Sequence, residues 1–206
     1  MDICRGFSAT RWRDELQQKL TGIDEGAWIR AIEVFERRLR ERFLRPIEIM
    51  LETDKSPNGD APIVPGFAIM ALCCLLIDTL QSFYTGGRTN EATTRAFKDF
   101  FKNSKHFRND FRTSDMCGDF SENVRNALLH EAETRSGWRI EKSLPPNSIV
   151  TGKKGNYILN RTNFYKALKG EFEDYLLRLR KPTQTDLRIK FLAKMNAIAN
   201  TAPPIE

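Results

Sequence analysis

The chain is poor in the side chains that most often build metal and redox centres. It has two histidines, His106 and His130, among 206 residues, which excludes a histidine-rich metal site. Its four cysteines, Cys4, Cys73, Cys74 and Cys117, form no CxxC, and no His or Cys pair has zinc spacing. Cys73 and Cys74 are neighbours inside an apolar run, so they read as reduced, packed thiols of a cytoplasmic protein. GxxxxGK[ST], GxGxxG after a strand, and GxSxG are all missing. No cluster of carboxylates has metal-binding spacing either, so the expectation is a site with no metal and no cofactor. There is no internal repeat and no low-complexity tract.

Long hydrophobic runs are missing too. The most apolar stretch, Ile63 to Ile77, is followed by Asp78 and carries Pro65 and Gly66 near its start. It falls short of the roughly 20 residues a membrane span needs, and it reads as a helix buried inside the domain. The opening MDICRGFSATRW has no apolar core of the kind a signal peptide carries. These features predict a cytoplasmic protein without a membrane partner.

What is present suffices for one domain over residues 1–206. Hydrophobic residues make up 40% of the chain, including 14 Phe. Basic residues outnumber acidic ones 33 to 27, giving a net charge of +6, a balance that favours an anionic partner without establishing one. A first long helix is expected from Asp24, an N-cap residue type. Its apolar stripe is Trp28, Ile32, Phe35, Leu39 and Phe43, and Pro46 must kink or restart it. Thr53 to Pro62 has loop punctuation. The buried helix follows to about Tyr84 and ends at Gly86-Gly87.

From Arg95 to Arg112 six basic residues face two acidic ones, and Phe97, Phe100, Phe101, Phe107 and Phe111 interleave with them. Basic residues beside aromatics can hold a phosphate backbone and stack bases. Helical spacing assigns Phe97, Phe100 and Phe101 to the core instead, which leaves Lys98, Lys102 and Lys105 as the candidate phosphate contacts. His106 has no motif around it. Trp138 and Ile140 alternate with charged neighbours, predicting a short strand. Ile149-Val150 and Tyr157-Ile158-Leu159 flank Gly152-Lys153-Lys154-Gly155, a hairpin turn. Phe164, Leu168, Phe172, Tyr175, Leu176 and Leu179 form the stripe of a further helix closed by Pro182. A last helix carries Leu187, Phe191, Met195 and Ile198, and the tail at Ala202-Pro203-Pro204 is expected to fray. The fold class predicted is all-α: an up-down helical bundle with a small β-hairpin inserted around residues 138–160.

One segment carries chemistry: Val124-Arg125-Asn126-Ala127-Leu128-Leu129-His130. On a wheel of about 100° per residue with Phe120 at zero, Val124, Ala127 and Leu128 face the core. Asn126 and His130 share one face, while Arg125 lies about 140° from His130. The pair meets only if the arginine reaches across or a second copy of the helix supplies its partner, which points toward a symmetric dimer. Glu131 falls in the apolar sector. Either Arg125 or another base pairs with it, or the helix is less regular than the wheel. The non-catalytic alternative is a histidine hydrogen-bonded at a packed surface, with Arg125 paired to Glu131 or Glu122.

Arg125-Asn126-Ala127-Leu128-Leu129-His130 resembles the R-x4-6-H motif of the HEPN (higher eukaryotes and prokaryotes nucleotide-binding) superfamily, in which a polar residue often follows the arginine. The resemblance implies a small up-down helical bundle, commonly dimeric. Its active members cleave RNA without a metal, using arginine and histidine at the dimer interface. It makes Arg125, His130 and Asn126 the candidate catalytic residues. It further implies RNA as partner, a homodimer through the motif helix, and an antitoxin or sensor protein for a toxin or defence component. The alternative within the family is a non-catalytic dimeric binding or scaffold module. Two features depart from the pattern. Ala132 stands where nucleotidyltransferase-partnered members often have tyrosine, and the hairpin between Trp138 and Asn160 is additional to the minimal fold.

The chemistry needs few groups. A ribose 2′-hydroxyl can attack its adjacent phosphate once a base takes its proton. Histidine, with an ordinary pKa of about 6.5, suits that transfer. The arginine fork suits charge developing on phosphate oxygens. Asn126 is suited to orient the imidazole or to hydrogen-bond the phosphate.

Overall fold

The computed structural model describes residues 2–22, 24–53, 65–87, 93–142 and 148–200. Most of the loop expected over Thr53 to Pro62, the first two residues of the apolar stretch and the C-terminal tail lie outside the described residues. The described chain is mostly helical, with two small sheets. Its contacts divide it into two compact units: Met1–Leu44, Ser82–Arg88 and Glu173–Glu206 form one, Arg45–Gln81 and Thr89–Phe172 the other.

The first unit opens with two strands that the sequence reading did not anticipate, β1 (Asp2–Cys4) and β2 (Phe7–Ser8), paired antiparallel. A single turn, α1 (Ala9–Arg11), and π- and 3-10-helical turns lead to α2 (Glu25–Leu39). Asp24 caps α2 as expected, its side chain accepting from the Ala27 N–H at 3.0 Å. Trp28, Ile32, Phe35 and Leu39 are buried, but Leu44 is buried in place of Phe43. A π-helical turn over Arg40–Leu44 explains the slip. Its wider i→i+5 ring takes up an extra residue, so the inward face moves one position along. Pro46, which has no N–H to donate, then stands in the first turn of α3 (Arg45–Thr53), where the helix restarts.

The last turn of α4 (Gly66–Thr85) and the end of α8 (Arg161–Leu179) supply Phe83 and Tyr175 to the first unit, and α9 (Thr185–Asn200) supplies Phe191. These rings surround Phe35, with centroids 4.5 Å (Phe83), 5.7 Å (Tyr175) and 5.3 Å (Phe191) away. Arg188 on α9 is buried, held by both oxygens of Glu25 at 2.7 and 2.9 Å and stacked over the Trp28 ring.

The second unit contains the first four turns of α4, with Ile69, Met70, Cys73, Cys74, Leu76, Ile77 and Leu80 fully buried. Among the described residues α4 is the one helix long and apolar enough to cross a membrane by length and composition. It ends at Thr85, beside the Tyr84 end that the sequence reading gave it, and it outruns the 15-residue apolar stretch because Asp78 lies within the helix. Beside it lie α5 (Thr93–Asn103), α6 (Ser114–Phe120) and α7 (Ala127–Glu131). Phe97, Phe100, Phe101, Phe107 and Phe111 are all buried, Phe101 and Phe111 stacked with centroids 3.9 Å apart. Those rings are core and do not reach a nucleic acid base.

The expected hairpin is β4 (Val150–Lys153) with β5 (Asn156–Asn160), turning at Lys154-Gly155. The strand predicted after Trp138 is β3 (Arg139–Glu141), which runs parallel to β5 and makes a three-stranded sheet in the order β3-β5-β4.

Candidate functional site

The motif lies on a helix that changes its winding. Thr113 caps α6, its side chain accepting from the Met116 N–H at 3.2 Å. A π-helical turn follows over Ser121–Asn126, and α7 carries the chain to Glu131, where Ala132 adopts a left-handed conformation with φ 55°. A left-handed residue ends a helix. Next the chain folds back. The Arg135 N–H bonds the Asn123 carbonyl at 2.9 Å, and the Trp138 indole N–H bonds Asp119 at 2.6 Å.

This winding corrects the wheel. One extra residue in a turn moves everything after it by about 100°. Glu131 leaves the apolar sector, His130 turns to the side opposite Phe120, and Leu128 stays inward. From Leu128 onward the side chains follow this shift, Leu128 buried and His130 and Glu131 exposed, while Ala127 at the junction stays fully buried. Glu131 pairs with Arg135, its Oε2 accepting from Nε at 2.7 Å, and not with Arg125.

Arg125 instead meets Asp78 of α4, an acidic residue 47 positions away. Its Nε and Nη2 donate to Asp78 Oδ2 at 3.2 and 2.9 Å, and its Nη1 donates to the Asn126 side-chain oxygen at 2.9 Å. The side chains are 19% exposed for Arg125 and 15% for Asp78, so the pair is shielded without being sealed. Two influences on the Asp78 carboxyl conflict. Burial raises its pKa and the guanidinium lowers it, and the net direction is upward because burial is the larger.

The structure thus brings Arg125 and Asn126 together and places His130 one turn further on, in solvent. The bonds of Arg125 run to Asp78 and Asn126 and not to His130. Of the three lysines, Lys98 lies against α6, its chain end beside Gly118, while Lys102 and Lys105 are exposed. Asp78 was missed as a site residue. The signal was there: one carboxylate in an otherwise apolar helix needs a partner. Among the described residues no group of three or more His, Cys, Asp and Glu side chains is placed to hold a metal ion.

Comparison with family models, with curated proteins and with solved structures found no match to this chain.

Proposed function

We propose that the chain is a HEPN-like metal-independent endoribonuclease, its helices arranged as an up-down bundle and paired as a homodimer through the motif helix. The observation that carries this reading is the placement of Arg125 and Asn126, hydrogen-bonded to each other on a widened turn, one turn before an exposed His130. Widened helical turns are frequent at functional sites because they re-aim a side chain. In the reaction the ribose 2′-oxygen attacks the adjacent phosphorus and the bond from phosphorus to the 5′-oxygen breaks. The products are a 2′,3′-cyclic phosphate and a 5′-hydroxyl. His130 takes the 2′ proton or returns one to the departing 5′-oxygen, and Arg125 holds the phosphate oxygens as charge grows on them. Lys98, Lys102 and Lys105 are the proposed contacts to flanking phosphates. Such a protein fits a cytoplasmic toxin or defence component with an antitoxin or sensor partner.

The test is incubation of the purified chain with mixed RNA in EDTA. His130→Ala and Arg125→Ala should each lower cleavage by at least about a hundredfold while retaining the helical circular dichroism spectrum. One observation favours a second reading, a non-catalytic dimeric binding module: Asp78 already occupies two of the three guanidinium nitrogens of Arg125. On that reading no RNA is cut, and the same substitutions change the sedimentation of the protein instead.

A further inference from the structure

The first unit contains a cavity that the motif does not use. It measures about 400 Å³, the scale of a small organic ligand rather than of a nucleic acid strand. Its walls come from β2 and the turn before it, from α1 and from α2, and they include Arg11, Arg30, Arg37 and a single carboxylate, Glu33. Three guanidinium groups against one carboxylate leave the lining at a formal 3 − 1 = +2. Phe7, Ile29 and Val34 form an apolar side.

The arginines are held in place from outside the cavity. Glu15 is not part of the lining, yet it accepts from Arg11 Nε at 2.7 Å and from Arg30 Nη2 at 2.9 Å. Arg11 also donates to the Gly6 carbonyl at 3.0 Å, and its guanidinium lies 4.9 Å from the Phe7 ring centroid, with that of Arg30 at 5.8 Å. Arg37 makes one long bond, 3.4 Å, to the Arg5 carbonyl. Each guanidinium has five N–H donors, so Arg30 and Arg37 keep most of theirs for a ligand. A rigid fork with donors to spare matches the oxygens of a phosphoryl group, and two such forks match a dianion, with Arg11, whose Nε and Nη2 are both taken by Glu15 at 2.7 and 3.3 Å, adding its charge beside them.

We propose that this cavity binds a small organic phosphate monoester, its phosphoryl group held by Arg30 and Arg37 beside the charge of Arg11 and its organic part lying against Phe7, Ile29 and Val34. The site is independent of the nuclease reading and stands or falls without it.

The experiment is an NMR titration of the full ¹⁵N-labelled chain with phenyl phosphate, inorganic phosphate and phenol as separate probes. Phenyl phosphate should shift the amides of Gly6, Phe7, Gly26 and Arg30 and saturate. It should bind more tightly than inorganic phosphate, and phenol should produce no shifts. Joint Arg30→Gln and Arg37→Gln substitution should weaken phenyl phosphate by about tenfold or more. Glu33→Gln, which removes the one lining carboxylate and disturbs no hydrogen bond to the arginines, should tighten it, so the proposal remains falsifiable if the double variant fails to fold. Shifts scattered over other basic surfaces, equal affinity for inorganic phosphate, or affinity unchanged by both sets of substitutions would each overturn it.

Discussion

Replacing Asp78 with leucine tests how the motif arginine is held. The carboxylate accepts from two nitrogens of Arg125, and both side chains are more than four-fifths shielded. Removing one partner of a fully buried pair costs about 3–5 kcal/mol, because the other charge stays behind unpaired. The residual exposure here lets water reach the guanidinium, which brings the expected cost to about 2–3 kcal/mol. For a chain of this length that lowers the melting temperature by about 5–10 °C.

The reverse substitution should behave differently. Arginine cannot lose its charge, but a carboxyl can take up a proton. Asp78 already has a raised pKa in the folded state, and Arg125→Met removes the influence that lowers it. A raised folded pKa means that the folded state holds the proton more tightly than the unfolded one. The stabilisation it contributes is complete below the unfolded value, near 3.8, and is lost as pH rises through the folded value. Arg125→Met should therefore be well tolerated near pH 4 and progressively worse toward pH 8, whereas Asp78→Leu should be costly across that range. Joint Asp78→Leu and Arg125→Met substitution removes both charges and should recover most of the loss. Urea denaturation of the four proteins at pH 4.5 and pH 8 reads these differences. If Asp78→Leu is within 0.5 kcal/mol of the parent (about the scatter of ordinary surface changes), or if the Arg125→Met deficit does not grow with pH, the reasoning fails.

Three further outcomes follow from the same structure. All four thiols are free and buried, and burial raises their pKa, so the native protein should resist thiol-directed reagents such as DTNB until urea unfolds it. Phe101→Ala, within the cluster of rings from α5, α6 and α8, should cost about 3–5 kcal/mol in urea denaturation, far more than Lys102→Ala on the same helix. Gly137→Ala should destabilise the reversal behind the motif, because Gly137 has φ +78° and an added methyl would collide with the Gly155 carbonyl, an effect visible as a lowered melting temperature.

The helices were readable wherever the winding stays regular. Asp24, the stripe from Trp28 to Leu39, and the stripe of α8 stand where their spacing put them. Reading failed at two π-helical turns, where an inserted residue shifted the inward face from Phe43 to Leu44 and moved Glu131 into solvent. A wheel of fixed pitch has no means to register such an insertion. The strands β1 and β2 are three and two residues long, too short for alternation to show. At the candidate site Arg125, Asn126 and His130 were visible as a local motif. Asp78 stood out only as a lone carboxylate in an apolar helix, and its partner was not legible, because the pairing depends on tertiary packing between residues 47 apart.

The central claim concerns a bond in RNA, and the ends left after cutting test it most directly. RNA oligonucleotides incubated with the chain in EDTA, beside the His130→Ala form, can be weighed by mass spectrometry. The account predicts 2′,3′-cyclic phosphate and 5′-hydroxyl ends from the parent protein, protection by a single 2′-deoxy substitution at the cleaved position, and no products from His130→Ala. Intact RNA with the parent protein, or identical products from His130→Ala, would contradict it.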